Sequence, residues 1–177
     1  LKIISGLAGM AVLAWSGIRV SPPRFESPNW HSQDLDSVGL PADLPAPVAR
    51  YARTVFGESI PIVESALIVG RADLTLNGIA FKGRFKFYHL AGSAYYHDIQ
   101  LTWFGLPIIR VDEQYKDGRA IMNLPGARID NDERTNLAAN VGLWAEAMWL
   151  SSIWFTDNRV RWVAVDDTTA KLVVPDK

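Results

Sequence analysis

The chain has 177 residues, 18 Lys+Arg against 19 Asp+Glu for a net charge of −1, and no cysteine. Disulfides and thiolate metal sites are excluded, and with no basic arm or stripe a nucleic-acid partner is not expected. The length suits one domain with its own core plus an appendage.

Ile3–Ile18 carries no charge and is flanked by Lys2 and Arg19. Sixteen helical residues rise about 24 Å, slightly short of a ~30 Å hydrocarbon core. Val20 and a snorkelling Arg19 could make up the difference. With no small-x-small cleavage site following, residues 1–20 read as an uncleaved membrane anchor, ahead of a cleaved signal segment or a buried N-terminal helix. Residues 21–47 hold six of the ten prolines and almost no apolar periodicity. They read as a linker (21–46), with His31 as a solvated loop residue, leading into a domain over 47–177.

A helix is expected over Pro47–Val55, with Val48, Tyr51, Ala52 and Val55 at helical spacing and Gly57 as its stop. Tyr51 and Arg53 could hold it to a sheet, with Arg50 solvated. From Ile62 the period becomes two. Ser65–Leu76, an N-G turn and Ile79–Tyr88 predict a hairpin. Phe81, Gly83, Phe85 and Phe87 fall on one face; Lys82, Arg84, Lys86 and Tyr88 fall on the other, wet one. Ala94–Trp103 repeats the scheme, with Tyr95, His97, Ile99, Leu101 and Trp103 opposite Asp98, Gln100 and Thr102. Ile108–Tyr115, a K-D-G turn and Arg119–Leu124 complete a meander of about five strands. Arg159–Val165 and Thr169–Val174 add two strands after a long helix.

That helix, Thr135–Thr156, reads TNLAANVGLWAEAMWLSSIWFT, and Glu146 is its only charged residue. A membrane span would place Glu146 near the bilayer centre at a cost of several kcal/mol, and would part the meander from the strands that follow. The preferred reading lays the helix across the aromatic sheet face. Leu137, Val141, Trp144, Met148 and Phe155 would form one stripe, and Leu143, Ala147, Leu150 and Trp154 a second. Ala139, Gly142, Glu146, Trp149 and Ile153 would form the third. A buried Glu146 needs a partner, or a proton; the candidates are His97, His89 and Arg110. It could also lie at the rim, or make a salt bridge that fixes the helix.

Asp130-Asn131-Asp132 reads as the cap of the long helix. Asp112, Glu113 and Asp117, and the pair Asp166-Asp167, read as turn residues rather than as metal or acid/base groups, with Trp162 and Asp166 anchoring the last hairpin. There is no H-E-x-x-H, G-x-S-x-G, phosphate loop or Ser-x-x-Lys, so no catalytic residue, metal or cofactor is assigned.

The segments LPAPVARYAR (Leu44–Arg53), VDEQYKDG (Val111–Gly118), EAMWL (Glu146–Leu150) and RWVAVDDTTA (Arg161–Ala170) resemble a bacterial and archaeal family of unknown function. Its landmarks are L-P-x-P-V-x-R-Y, D-x-Y-x-x-G, E-x-x-W-x-P and W-x-x-x-D-x-x-x-A. The resemblance covers Leu44 to Lys177. It departs at Ser151 or Ser152, where the family has proline. It implies about a hundred further residues of strands and hence a truncated C-terminus, in line with a chain that lacks an initial Met, stops in a strand pattern at VVPDK and reads as clipped at both ends; the family has no established activity to carry over. The order of elements is also similar to periplasmic lipoprotein-carrier half-barrels, in which an open curved sheet holds acyl chains under helical lids. That analogy concerns fold alone.

The expected architecture is α+β: a curved antiparallel, half-barrel-like meander under a long apolar helix, preceded by a hydrophobic N-terminal helix. The leading functional expectation is a membrane-tethered, extracytoplasmic domain, in the periplasm or at the cell surface. It would bind an apolar or amphipathic ligand, such as lipid, between sheet and helix. The contacting residues would be Glu146, Trp149, Trp144, His97, Phe85, Phe87, Tyr95 and Trp103. An interaction module with a filled core and exposed Trp149 and Trp154 is the alternative, and an enzyme using Glu146 with His97 is a third.

Overall fold

The computed structural model describes residues 2–28 and 34–176; His31 lies outside the described residues. The elements are α1 (Lys2–Gly17), β1 (Ser37–Gly39), α2 (Ala46–Phe56), β2 (Ser59–Pro61), β3 (Ser65–Leu76), β4 (Ile79–Leu90) and β5 (Ala94–Trp103). They continue with β6 (Leu106–Lys116), β7 (Arg119–Leu124), β8 (Ala127–Asp130), α3 (Glu133–Glu146), a 3-10 turn (Ala147–Leu150), α4 (Ile153–Thr156), β9 (Arg161–Ala164) and β10 (Ala170–Val173).

Strands β3 to β8 form an open six-stranded antiparallel meander in sequence order. Its first hairpin turns on Asn77 and Gly78, both at positive φ, as a two-residue turn matched to strand twist requires. The mixed α+β class agrees with the sequence reading. The sixth strand, β8, was not expected, because four residues are too few to display a period of two. Among the described residues the last hairpin pairs only with itself, β9 with β10, and does not extend the meander. The Pro-rich stretch is not a free connector throughout. Ser37–Gly39 pairs with Ser59–Pro61, and Phe25 lies under the Arg84 guanidinium at 4.4 Å.

Alternation fixes the inner face. Phe87 stands opposite His97, His89 opposite Tyr95, Tyr95 opposite Tyr115, and Tyr115 opposite Ala120. Ala139 and Leu143 of α3 close over Tyr95, Tyr115 and Ala120 to make one core cluster. Two hydrogen bonds set the height of the helix. The Tyr115 hydroxyl donates to Asn140 Oδ1 (3.1 Å), and the Ala120 backbone N–H donates to Asn136 Oδ1 (2.7 Å).

The outer face departs from expectation. Asp98, Gln100 and Thr102 are 4%, 7% and 0% exposed rather than wet. Arg110 donates twice to Asp98, at 3.1 Å each, Gln100 Nε2 donates to Asp98, and Arg84 donates to Gln100 at 2.9 Å. Polar side chains can leave water when each finds a partner: the arginines serve Asp98 and Gln100, and the Thr102 hydroxyl donates to the Lys82 carbonyl at 2.7 Å.

The expected single helix over Thr135–Thr156 is broken into α3, the 3-10 turn and α4. Ser151 and Ser152, poor helix-interior residues, lie at the break. The expected stripe also fails to share one environment: Leu137, Val141 and Met148 are exposed, whereas Trp144 is buried. Trp144 is enclosed by the returning chain, with Ala147, Ile153 and Val160 against it and the Arg159 guanidinium 5.6 Å from its ring.

Asp132 caps α3, accepting from the Thr135 N–H and hydroxyl at 2.9 Å each. Asp132→Ala is expected to lower stability, because the first turn of α3 loses both bonds. The midpoint of thermal unfolding should then move down.

Helix α1 has 16 residues, and among the described residues no helix is long and apolar enough to cross a membrane. Its C-terminal end meets the sheet. Trp103 Nε1 donates to Ala14 O (3.2 Å), and the Phe104 and Lys82 N–H groups donate to the carbonyls of Gly17 and Ile18. A side chain at position 17 would strike the Trp103 ring.

Candidate functional site

The short Ala91–Ser93 turn makes β4 and β5 immediate neighbours, so inward residues near it converge. His89 and His97 sit on a diagonal across the two strands, with ring centroids 5.3 Å apart and Nε2 atoms 3.4 Å apart. Glu146 is the last residue of α3, the helix fixed in place by Leu143 and Asn140. Its Oε2 reaches 3.0 Å from His97 Nε2 and 3.4 Å from His89 Nε2. The two histidines are 2% and 4% exposed, whereas the Glu146 side chain is 34% exposed. Oε2 itself is buried and receives no well-angled hydrogen bond, despite the two ring nitrogens beside it.

His97 is held between rings. Phe87 lies 4.0 Å away on one side, and Tyr95 is stacked at 4.1 Å and 15° on the other. The Tyr95 hydroxyl donates to Glu113 Oε1. Burial, reinforced by that hydrogen bond, pushes the Tyr95 pKa up, so the phenol stays protonated and keeps donating. Burial also holds His89 below the ordinary histidine pKa, with His97 adding to the effect and Glu146 opposing it. At neutral pH His89 is thus an uncharged imidazole with a lone pair to offer.

Beyond His97 lies an aromatic cluster. Phe85 and Phe87 are 4.8 Å apart, and Trp149 stacks on Phe87 at 6.0 Å and 11° and lies 6.3 Å from Phe85. Phe85 lies over Gly70, its partner on β3, where an added Cβ would come within 2.4 Å of the ring. In a 3-10 turn residues i and i+3 eclipse, which keeps Trp149 over the same side of the sheet as Glu146. Trp149 remains 47% exposed.

Six of the eight residues expected at the site come together: Glu146, His97, Phe85, Phe87, Tyr95 and Trp149. Trp144 faces the returning chain. Trp103 lies six residues along β5 from His97, about 20 Å at 3.3 Å per residue, against the end of α1. Arg110, a candidate partner for Glu146, belongs to the outer face and binds Asp98. Its register partner Gln100 has the opposite parity to His97, which the alternation alone could have disclosed. Glu113, read as a turn residue, is mid-strand opposite His97. Asp112 accepts from Asn123 Nδ2 at 2.7 Å, and Asp166 caps Thr168 in the last turn.

The sequence reading assigned no metal ligand. The structure brings one donor atom each from His89, His97 and Glu146 within 4.8 Å of one another. No spacing motif announces this trio, because its members come from two strands and a distant helix.

No curated protein and no solved structure matches the chain. The model of one family, described as Family of unknown function (DUF6544), matches residues 35–177. That match takes in the whole sheet, α3 and all three members of the histidine–glutamate cluster, and the chain belongs to this family.

Proposed function

We propose that the protein binds an apolar or amphipathic molecule, of which lipid is the leading class, between sheet and helix against the Phe85–Phe87–Trp149 aromatic cluster, with its polar end toward Glu146. The observation that carries this reading is the exposure of Trp149, 47% open to solvent although it stacks on Phe87 beside Phe85, so that a packed aromatic surface faces outward next to Glu146. Burying apolar surface there contributes about 25 cal/mol per Å². A partly exposed carboxylate beside the cluster gives the ligand an orientation. An open sheet under a helical lid, of half-barrel type, suits such a ligand. A tether through residues 3–20 on the extracytoplasmic side would keep the domain near its source.

The exposed apolar residues Leu137, Val141 and Met148 on α3 favour a second reading, in which the domain docks on a protein or membrane surface. The acid/base reading retains its geometric condition, since Glu146 and His97 are within hydrogen-bond reach.

A fluorescent long-chain alcohol, whose hydroxyl can donate to Glu146, titrated into the full chain separates the first two. Saturable 1:1 binding, weakened roughly tenfold by Trp149→Ala, an effect of about 1.4 kcal/mol, is expected of a ligand against the aromatic cluster. Absence of saturable binding, or binding indifferent to both Trp149→Ala and Phe87→Ala, overturns the ligand reading.

A further inference from the structure

We propose that His89 Nε2, His97 Nε2 and Glu146 Oε2 form a three-ligand site for a divalent transition-metal ion of the zinc type. The three donor–donor separations are 3.0, 3.4 and 3.4 Å. Ligands of a tetrahedral zinc ion, with bonds of about 2.0–2.1 Å, stand about 3.3–3.4 Å apart. A salt bridge that merely fixes a helix needs one short edge; here all three edges are short.

The donor set selects the class of ion. Two imidazoles and one carboxylate suit zinc and its first-row neighbours. Calcium and magnesium take oxygen ligands, of which the trio supplies one residue. Three protein ligands leave a further position for water or another small ligand, as at catalytic rather than structural zinc sites.

Two further observations point to an ion. Glu146 Oε2 is buried and lacks a well-angled hydrogen bond although two ring nitrogens adjoin it, which is accounted for if the donors are set for a shared cation. The site is also rigid before any ion arrives. His97 is clamped between Phe87 and Tyr95, Tyr95 is tied to Glu113, and the two strands are paired in register. Glu146 alone of the three is partly exposed, so the open position lies on its side of the cluster.

Both proposals use Glu146, but their tests are separate: the ligand reading is read out at Trp149 and Phe87, and the metal site at His89 and His97, so either can fail while the other holds. The test is titration of the chelator-stripped full chain with Co²⁺, followed by displacement with Zn²⁺. One equivalent of Co²⁺ should bind and give the visible absorption of a four- or five-coordinate ion, which Zn²⁺ then abolishes. His89→Ala, His97→Ala and Glu146→Gln should each weaken binding at least tenfold, and His31→Ala should leave it unchanged. Glu146→Gln preserves side-chain shape, and circular dichroism reports whether each variant is folded. The wild-type chain alone can sink the proposal, by showing no stoichiometric Co²⁺ binding. So can tight binding that survives all three site substitutions, or that depends on His31.

Discussion

Leu143→Ala is expected to cost the fold about 2–5 kcal/mol, the range for truncating a buried leucine. Leu137→Ala, six residues earlier on α3, is expected to stay within about 0.5 kcal/mol, as surface substitutions do. Leu143 is 3% exposed and fills the space between Tyr95, Tyr115, Ala120 and Ala139; Leu137 is 60% exposed. For a chain of this length the loss at Leu143 corresponds to a Tm lower by roughly 5–15 °C. The contrast matters because Leu143 also holds α3 at the height from which Glu146 reaches the histidines. Guanidinium melts of the two variants check it. Equal losses would mean that the helix does not lie on the β5–β7 face as described, and the histidine–glutamate cluster would lose its support.

Alternation made much of this site legible. Phe85, Phe87, Tyr95 and His97 share a face because a strand's side chains repeat every two residues, and the N-G turn fixed the first hairpin. That a buried Glu146 needs a partner also followed from chemistry, since a lone buried carboxylate is too costly, but His97, His89 and Arg110 all stood as candidates. The identity of the cluster as a trio did not follow. Whether His89 meets His97 depends on the tightness of the Ala91–Ser93 turn. Whether both meet Glu146 depends on the height of α3, which hydrogen bonds from Tyr115 and Ala120 set across more than fifteen residues of chain.

Trp144 left the expected site for a similar reason, whereas Trp149 stayed beside Glu146. A helical wheel assumes 3.6 residues per turn, but the helix tightens after Glu146, and α4 with Val160 folds back over Trp144. Periodicity cannot show where a later segment returns. The outer face misled differently. Asp98, Gln100 and Thr102 look solvated by residue type, yet burial depends on whether partners exist; Arg110 supplies one to Asp98, Arg84 one to Gln100, and the Lys82 carbonyl accepts from the Thr102 hydroxyl at 2.7 Å.

That outer network carries an asymmetry. Arg110→Ala should destabilise the fold by about 2–3 kcal/mol, below the usual 3–5 kcal/mol for breaking a buried pair because the guanidinium is partly in water. The Asp98 side chain is 6% exposed and Arg110 54% exposed. Without Arg110 the carboxylate stays in place with Gln100 Nε2, at 3.3 Å, as its remaining side-chain donor. Removing Asp98 instead leaves an arginine that can turn into solvent, so Asp98→Ala should cost about 1 kcal/mol, near the net value of a hydrogen bond. The double variant should then lie closer to Asp98→Ala than to the sum of the two single losses, because it leaves no stranded charge. Arg110→Lys should recover only part of the loss, since an ammonium cannot reproduce the two-pronged contact. Denaturant midpoints of the four proteins decide the matter. If the single losses are equal and simply add, Asp98 is not the buried member of the pair, and the outer face is held by apolar packing of the strands alone.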